Sequence, residues 1–197
     1  MSQLSLLPES ATSGDGILRA AVISECGMHR YLLTRRWAPG PTDLWVMLNP
    51  SMADGRQDDP TLRRIVAFSR GWGAGSLAVV NLASLRSSHP DALYDETVAP
   101  IGPEANRYIA EAAERTATSG GRILAGWGSA VRFDDFAPFF LRGRDQKVLR
   151  TLTSFGDVYC LGKTAAGAPV HPLARGRSRV PDDAEPRLFA AREGACT

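Results

Sequence analysis

Residues 44–51 read Leu44-Trp45-Val46-Met47-Leu48-Asn49-Pro50-Ser51, and the fold can be built outward from this stretch. Five apolar residues in a row predict a strand that is buried on both faces. The strand stops at Asn49-Pro50, because proline cannot donate to a β-ladder and holds the preceding residue in an extended conformation. Two polar side chains, Asn49 and Ser51, are therefore expected at the carboxyl end of a buried strand, where open α/β sheets bind ligands.

Length and composition indicate a single globular domain, since the 197 residues are 44% hydrophobic and 22% charged. No apolar run approaches the ~20 residues that span a bilayer. Residues 1–16 lack the pattern of a signal peptide, so we expect a cytoplasmic protein with no membrane partner. The three cysteines have no CxxC spacing and the three histidines have no helical i, i+4 partner, so we expect no metal site.

Positive charge is concentrated towards the carboxyl terminus. Residues 122–179 contain ten Lys or Arg against four Asp, a local charge of about +6 in a chain whose net charge is +2. This asymmetry suits a phosphate backbone along one side of the protein. It suits an ordinary solvated surface equally well.

Further apolar runs predict strands at 76–82, 122–127 and 158–162, and a hairpin is predicted from residues 17–24 and 31–37. One helix is expected to begin with Asp59 as its cap and Pro60 as its first residue, and to end at the glycines of 71–75. Other helices are expected over 103–118 and within 133–152. The alternation predicts a three-layer α/β/α sandwich around a central, mostly parallel four-stranded sheet. We expect a flexible lead-in at 1–16, one domain at 17–180 and a carboxyl-terminal tail at 181–197.

Each predicted parallel strand is followed by a distinctive polar or glycine-containing motif. If the strands are parallel, these motifs lie along one edge of the sheet. An asparagine at this edge can read a base amide, and a neutral histidine can donate to a developing oxyanion. No dinucleotide or P-loop glycine motif is present, and no serine or cysteine nucleophile has a convincing base partner.

Taken in order, these motifs resemble those of the uracil-DNA glycosylase superfamily: Leu48-Asn49-Pro50-Ser51, Val79-Val80-Asn81-Leu82, Ala125-Gly126-Trp127-Gly128 and Val170-His171-Pro172-Leu173. The run from Met47 to Thr61, together with the asparagine and histidine motifs, also resembles an uncharacterised bacterial family, the domain-of-unknown-function family 1643. We interpret that family as a divergent branch of the same fold. The resemblance covers residues 44–175.

This resemblance implies a monofunctional DNA glycosylase that needs no cofactor, with DNA as its partner. Asn49 would position the attacking water, Asn81 would read the pyrimidine edge and His171 would stabilise the departing base. Asp58 and Asp59 are acids that the superfamily's motif lacks, and one of them would act as the base that accepts a proton from the water. Ser51 would bind the base, and Phe68 or Trp72 would form an aromatic floor beneath it. The residues expected to contact the DNA are Leu173, Arg175, Arg177 and Lys163.

Met47 and Ser51 replace the glycines of the superfamily's first motif. This divergence favours a modified pyrimidine as the substrate, such as a bulky phage base, and hence a role in phage defence. Two alternatives are a non-catalytic nucleic-acid-binding relative and a hydrolase of free nucleosides or nucleotides. We expect a monomer with no obligate protein partner.

Overall fold

The computed structural model describes residues 11–12, 16–51, 58–95, 97–131 and 133–194. The helices in this part of the chain are α1 (Pro60–Gly71), α2 (Ala105–Ser119) and α3 (Arg144–Thr153). The strands are β1 (Ala11–Thr12), β2 (Leu18–Ile23), β3 (Arg30–Arg36), β4 (Thr42–Met47), β5 (Ser76–Asn81), β6 (Ile123–Ala125), β7 (Val158–Cys160) and β8 (Arg187–Ala190).

The described strands form one mixed sheet in the order β1-β2-β3-β5-β4-β6-β7-β8. The strands that sequence analysis placed at the centre, β5, β4, β6 and β7, are adjacent and pair in parallel. The predicted hairpin, β2 with β3, adds antiparallel to β5, and β8 adds antiparallel to β7. The prediction of a four-stranded, mostly parallel sheet is therefore corrected to an eight-stranded sheet with antiparallel strands at both sides.

Successive residues of β4 face opposite sides of the sheet, as the geometry of a strand requires. Leu44 and Val46 belong to an apolar cluster that includes residues of α2 and α3. Trp45 and Met47 belong to a second cluster, with residues of α1. Helices therefore cover both faces, and the run at 44–48 is buried throughout.

Helix α1 begins where the sequence predicted. Asp59 is its N-cap, and its Oδ1 accepts a hydrogen bond of 2.7 Å from the backbone N–H of Leu62. Pro60 occupies the first turn, where a missing N–H has no cost. This cap places Asp59 at the edge of the sheet that the parallel strands point towards.

Both chain ends contribute strands that the sequence analysis did not assign. β1 lies within residues 1–16 and pairs with β2, and β8 lies within residues 181–197. Their short lengths, two and four residues, give little periodicity to detect. Within the described residues, no helix has the length and apolar character needed to cross a membrane.

Candidate functional site

A cavity of about 520 Å³ opens at the carboxyl edge of the parallel strands. Each of these strands leads to it: β4 through the residues after Met47, β5 at its last residue, β6 through residues 127–130, and β7 through the later loop that carries His171. Five of the residues selected from the sequence line it together: Asn49, Ser51, Asp59, Asn81 and His171.

Asn81, the last residue of β5, is only 4% exposed. Its side-chain Oδ1 is buried and has no hydrogen-bond partner among the described residues. An unsatisfied buried acceptor costs about 1–3 kcal/mol, so such atoms are rare in folded proteins unless a ligand or water satisfies them. Asn81 therefore lines the cavity with a carboxamide whose oxygen has no partner among the described residues.

His171 occupies the cavity wall in one defined tautomer. Its Nδ1 accepts a hydrogen bond of 3.1 Å from the backbone N–H of Leu173, so the ring proton lies on Nε2. Burial lowers the pKa of His171 below its ordinary value of 6.5, and the nearby Asp59 charge opposes this shift. The imidazole is therefore neutral at pH 7, with Nε2–H as its remaining donor.

Two glycines after β6 allow the His171 loop to approach closely. A Cβ at Gly128 would lie 3.2 Å from the Cβ of His171, and the φ angle of Gly128 is +70°. A Cβ at Gly126 would lie 3.0 Å from Met47 Sδ and 3.4 Å from a side-chain carbon of Pro172. The motif that sequence analysis recognised after β6 thus has a packing role beside the histidine.

Asp59 and Ser51 form a polar pair on the cavity wall. The Ser51 hydroxyl donates to Asp59 Oδ2 at 2.7 Å, while Oδ1 caps α1. Both carboxylate oxygens are thereby held in place. Each oxygen has two lone pairs, so the carboxylate can also accept a hydrogen bond from a water molecule.

Asn49 is held by its amide nitrogen. The Nδ2 atom donates to the backbone oxygen of Ser87 at 2.9 Å and to that of Pro50 at 3.3 Å. These bonds orient the carboxamide and leave Oδ1 as the atom that can position a water or a ligand.

Asp58 lies outside the described lining of the cavity, although it adjoins Asp59 in sequence. Its Oδ1 is 2.9 Å from Arg35 Nε and 2.8 Å from Arg35 Nη2, and Arg35 is fully buried in β3. A second cation, Arg19, is 3.9 Å from Oδ2. Asp58 therefore neutralises a buried charge in the hairpin, and of the two expected acids only Asp59 lines the cavity.

Phe68 and Trp72, the expected aromatic floor, also lie outside the described lining. They pack with Trp45 in the cluster beneath α1, where their ring centroids are 5.5 Å apart. The aromatic residue that does line the cavity is Trp127, which is 3% exposed and contacts Phe189 edge-on. Sequence reasoning noted Trp127 as part of a strand-end motif without giving it a role.

Arg30 is a second residue that sequence reasoning missed. It is the first residue of β3, is 5% exposed and lines the cavity. Burial lowers the pKa of its guanidinium to about 10, and the charge of Asp59 opposes this shift. The only available signal was a charged residue immediately before the strand predicted at 31–37, which is ordinary on a protein surface.

Three of the residues expected to contact DNA line two grooves that are distinct from the cavity: Lys163, Arg177 and Leu173. One groove of about 500 Å³ is lined by two acids, Asp183 and Glu185, and by four cations, and we call it the basic groove: Lys163, Arg177, Arg179 and Arg187. Leu173, 38% exposed, lines a second groove beside α1 that contains Arg63 and Arg64. Arg175 is exposed in the loop between Leu173 and the basic groove. Among the described residues, no group of three or more His, Cys, Asp or Glu is placed to hold a metal ion.

Residues 30–173 match the model of a family described as a protein of unknown function (DUF1643), and the chain therefore belongs to that family. The matched segment runs from Arg30 to Leu173, so it includes every cavity residue discussed above. No curated protein and no solved structure matches the chain.

Proposed function

We propose that this protein is a DNA glycosylase, a divergent member of the uracil-DNA glycosylase superfamily, which excises a flipped pyrimidine by hydrolysing its N-glycosidic bond. The observation that carries the proposal is the composition of one cavity: an unsatisfied acceptor at Asn81, a neutral imidazole donor at His171 and a fixed carboxylate at Asp59. Base recognition, leaving-group stabilisation and water activation each require one of these groups.

Recognition is assigned to Asn81 and Trp127. The orphaned Oδ1 of Asn81 accepts an N–H from the edge of the flipped base, which removes the cost of burying an unsatisfied acceptor. Trp127 provides an aromatic surface for the ring in place of Phe68 or Trp72.

In the chemical step, the bond between C1′ and the ring nitrogen breaks and its electron pair leaves with the base. His171 Nε2–H donates a hydrogen bond to the exocyclic oxygen on which the negative charge develops. A water oxygen then bonds to C1′ and passes a proton to Asp59, while Asn49 Oδ1 and the Ser51 hydroxyl hold that water. The products are an abasic sugar and the free base, whose added proton comes from solvent.

We propose that DNA is held by the two charged grooves. Val170 lines the basic groove, His171 lines the cavity and Leu173 lines the groove beside α1, so one short loop separates all three. We assign phosphate contacts to Lys163, Arg175 and Arg177, and we assign the space vacated by the flipped base to Leu173. This arrangement favours DNA over a free nucleoside as the substrate, because a nucleoside would make no use of the grooves.

The substrate is proposed to be a modified pyrimidine. At about 520 Å³ the cavity is within the range of about 300–1,000 Å³ that is typical of sites for larger ligands, and it is much larger than one pyrimidine ring. Bulky pyrimidines of phage DNA would fit this space, which would give the enzyme a role in defence.

The test is incubation with duplex and single-stranded DNAs that contain uracil, hydroxymethylcytosine or glucosylated cytosine, followed by alkaline cleavage at abasic sites. We expect strand breaks with the wild type, and their loss by about 100- to 1,000-fold in His171→Ala and strongly in Asn49→Ala. The matched control is His89→Ala, because His89 is an exposed histidine outside the described cavity lining.

Other outcomes identify the alternatives. DNA binding without any abasic product would favour the non-catalytic relative. Salt-insensitive cleavage of free nucleosides would favour the nucleoside hydrolase, because binding to DNA weakens steeply with salt.

A further inference from the structure

Three arginines of the described chain are almost completely buried, and two of them lie outside the described lining of the cavity. Arg35 pairs with Asp58 inside the hairpin. Arg144 donates from Nε to the backbone oxygen of Leu82 at 2.7 Å and from Nη1 to Asn106 Oδ1 at 2.6 Å. The third, Arg30, differs from both because it lines the cavity.

The topology of the sheet explains how Arg30 reaches the cavity. β3 runs antiparallel to β5, so the start of β3 lies beside the end of β5. The backbone N–H of Arg30 donates to the oxygen of Ser84 at 2.9 Å, just beyond Asn81. The guanidinium and the Asn81 amide therefore belong to the same cavity and come from neighbouring strands.

Charge defines what this part of the cavity can hold. A guanidinium has only N–H donors, so a group that faces Arg30 must offer acceptor atoms. Asp59 lines the same cavity, and its negative charge acts on Arg30. An anionic substituent would be attracted by Arg30 and repelled by Asp59. A neutral hydroxyl can accept from the guanidinium and donate to the carboxylate, so it suits both groups.

We propose that Arg30 is a specificity-determining residue that selects pyrimidines whose ring substituent is neutral and hydroxylated, while Asn81 on the neighbouring strand reads the base. This inference rests on the proposed glycosylase function and names the chemical class of its substrate. A methyl group in the same position could neither accept a hydrogen bond from Arg30 nor donate one to Asp59.

The experiment compares single-turnover excision from DNAs that differ only at one cytosine: unsubstituted, 5-methyl, 5-hydroxymethyl and 5-carboxyl. For the wild type we expect hydroxymethyl to exceed methyl by about 10- to 100-fold, the value of a hydrogen bond to a charged group. The carboxyl substrate is expected to be cleaved more slowly than the hydroxymethyl substrate, since it faces Asp59.

Arg30→Met should reduce the hydroxymethyl-to-methyl ratio to about 3 or less. Arg30→Lys keeps the charge but loses the planar donor geometry, and it should retain an intermediate ratio. Arg144→Met is the matched control, because it also removes an almost fully buried arginine, one that is outside the described cavity lining. Its ratio should equal that of the wild type. Urea denaturation of each variant establishes that it is folded, and Arg30→Lys provides the test if Arg30→Met is not.

The possible failures are distinguishable. Wild-type cleavage with an unchanged ratio in the Arg30 variants would overturn the role of Arg30 and leave the glycosylase proposal intact. Faster cleavage of the methyl or carboxyl substrate by the wild type would overturn the substrate class. The absence of cleavage on every DNA would overturn the proposed function, and the role of Arg30 with it.

Discussion

His171 Nδ1 accepts a hydrogen bond from the backbone N–H of Leu173, its neighbour two residues on. The same bond fixes the tautomer of the imidazole and the path of the chain to the exposed leucine. A change in the protonation of His171 therefore alters both the donor in the cavity and the loop that separates the two grooves.

The first prediction concerns the pH dependence of stability. Burial lowers the folded-state pKa of His171 below 6.5, so the unfolded chain binds this proton more readily than the folded chain. The free energy of unfolding must then decrease as the pH falls through 6.5 towards the lower folded-state pKa. We expect His171→Gln to lose less stability than the wild type between pH 7.5 and pH 5, as measured by urea denaturation.

His29 provides the internal reference, because burial lowers its pKa as well and it is present in both proteins. The difference between the two pH profiles therefore reports His171 alone. Parallel profiles would contradict the assigned environment of His171.

The second prediction separates the two adjacent acids. Asp58→Asn removes the charge partner of the fully buried Arg35, and breaking such a pair should cost about 3 kcal/mol of unfolding free energy. Asp59→Asn keeps a good helix cap, so its cost should be below about 1 kcal/mol, yet base excision should be lost. Urea denaturation and the abasic-site assay measure the two effects, and an Asp59→Asn enzyme with full activity would exclude Asp59 as the base for the water.

The third prediction concerns Asn81. Asn81→Ala removes a buried acceptor that has no partner in the described structure, so the free energy of unfolding should stay unchanged or rise by up to about 1 kcal/mol. Excision should be abolished, because the side chain that recognises the base is removed. Asn106→Ala is the control: its Oδ1 accepts from Arg144, so it should lower stability by about 1–3 kcal/mol and retain activity. A large loss of stability in Asn81→Ala would show that this side chain has a structural role.

The core of the fold was predictable because its signals are local. Apolar runs identified β4 to β7, and their ends were marked by Pro50, Asn81 and glycines. The cap Asp59 with Pro60 identified the start of α1. Parallel strands share one edge, so the strand-end motifs predicted which residues line the cavity. The strands at the sheet edges were harder to predict. β8, for example, has only four residues, and two of them are exposed, so its sequence shows no clear apolar pattern.

The errors at the site arise from interactions between residues that are distant in sequence. Asp58 and Asp59 look alike in the sequence, and their separation depends on Arg35, which is 23 positions away. Phe68 and Trp72 have the spacing of one helix face, which fits a cavity floor or a core equally well. Arg30 gave no local signal, because its burial requires β3 to pair with β5.

The last prediction tests the close approach at Gly128 against a matched glycine. Gly128 and Gly120 have φ angles of +70° and +74°, so an alanine at either position should cost about 1–2 kcal/mol of backbone strain. A Cβ at Gly120 meets nothing within 4 Å, whereas a Cβ at Gly128 lies 3.2 Å from His171 Cβ. Gly128→Ala should therefore displace His171 by a few tenths of an ångström. Because a displacement of about 1 Å can reduce catalysis about 100-fold, we expect a smaller but measurable loss of excision. Gly120→Ala should lose similar stability and keep its activity. Equal activities in the two variants, measured at a temperature where both are folded, would show that the position of His171 does not limit the reaction.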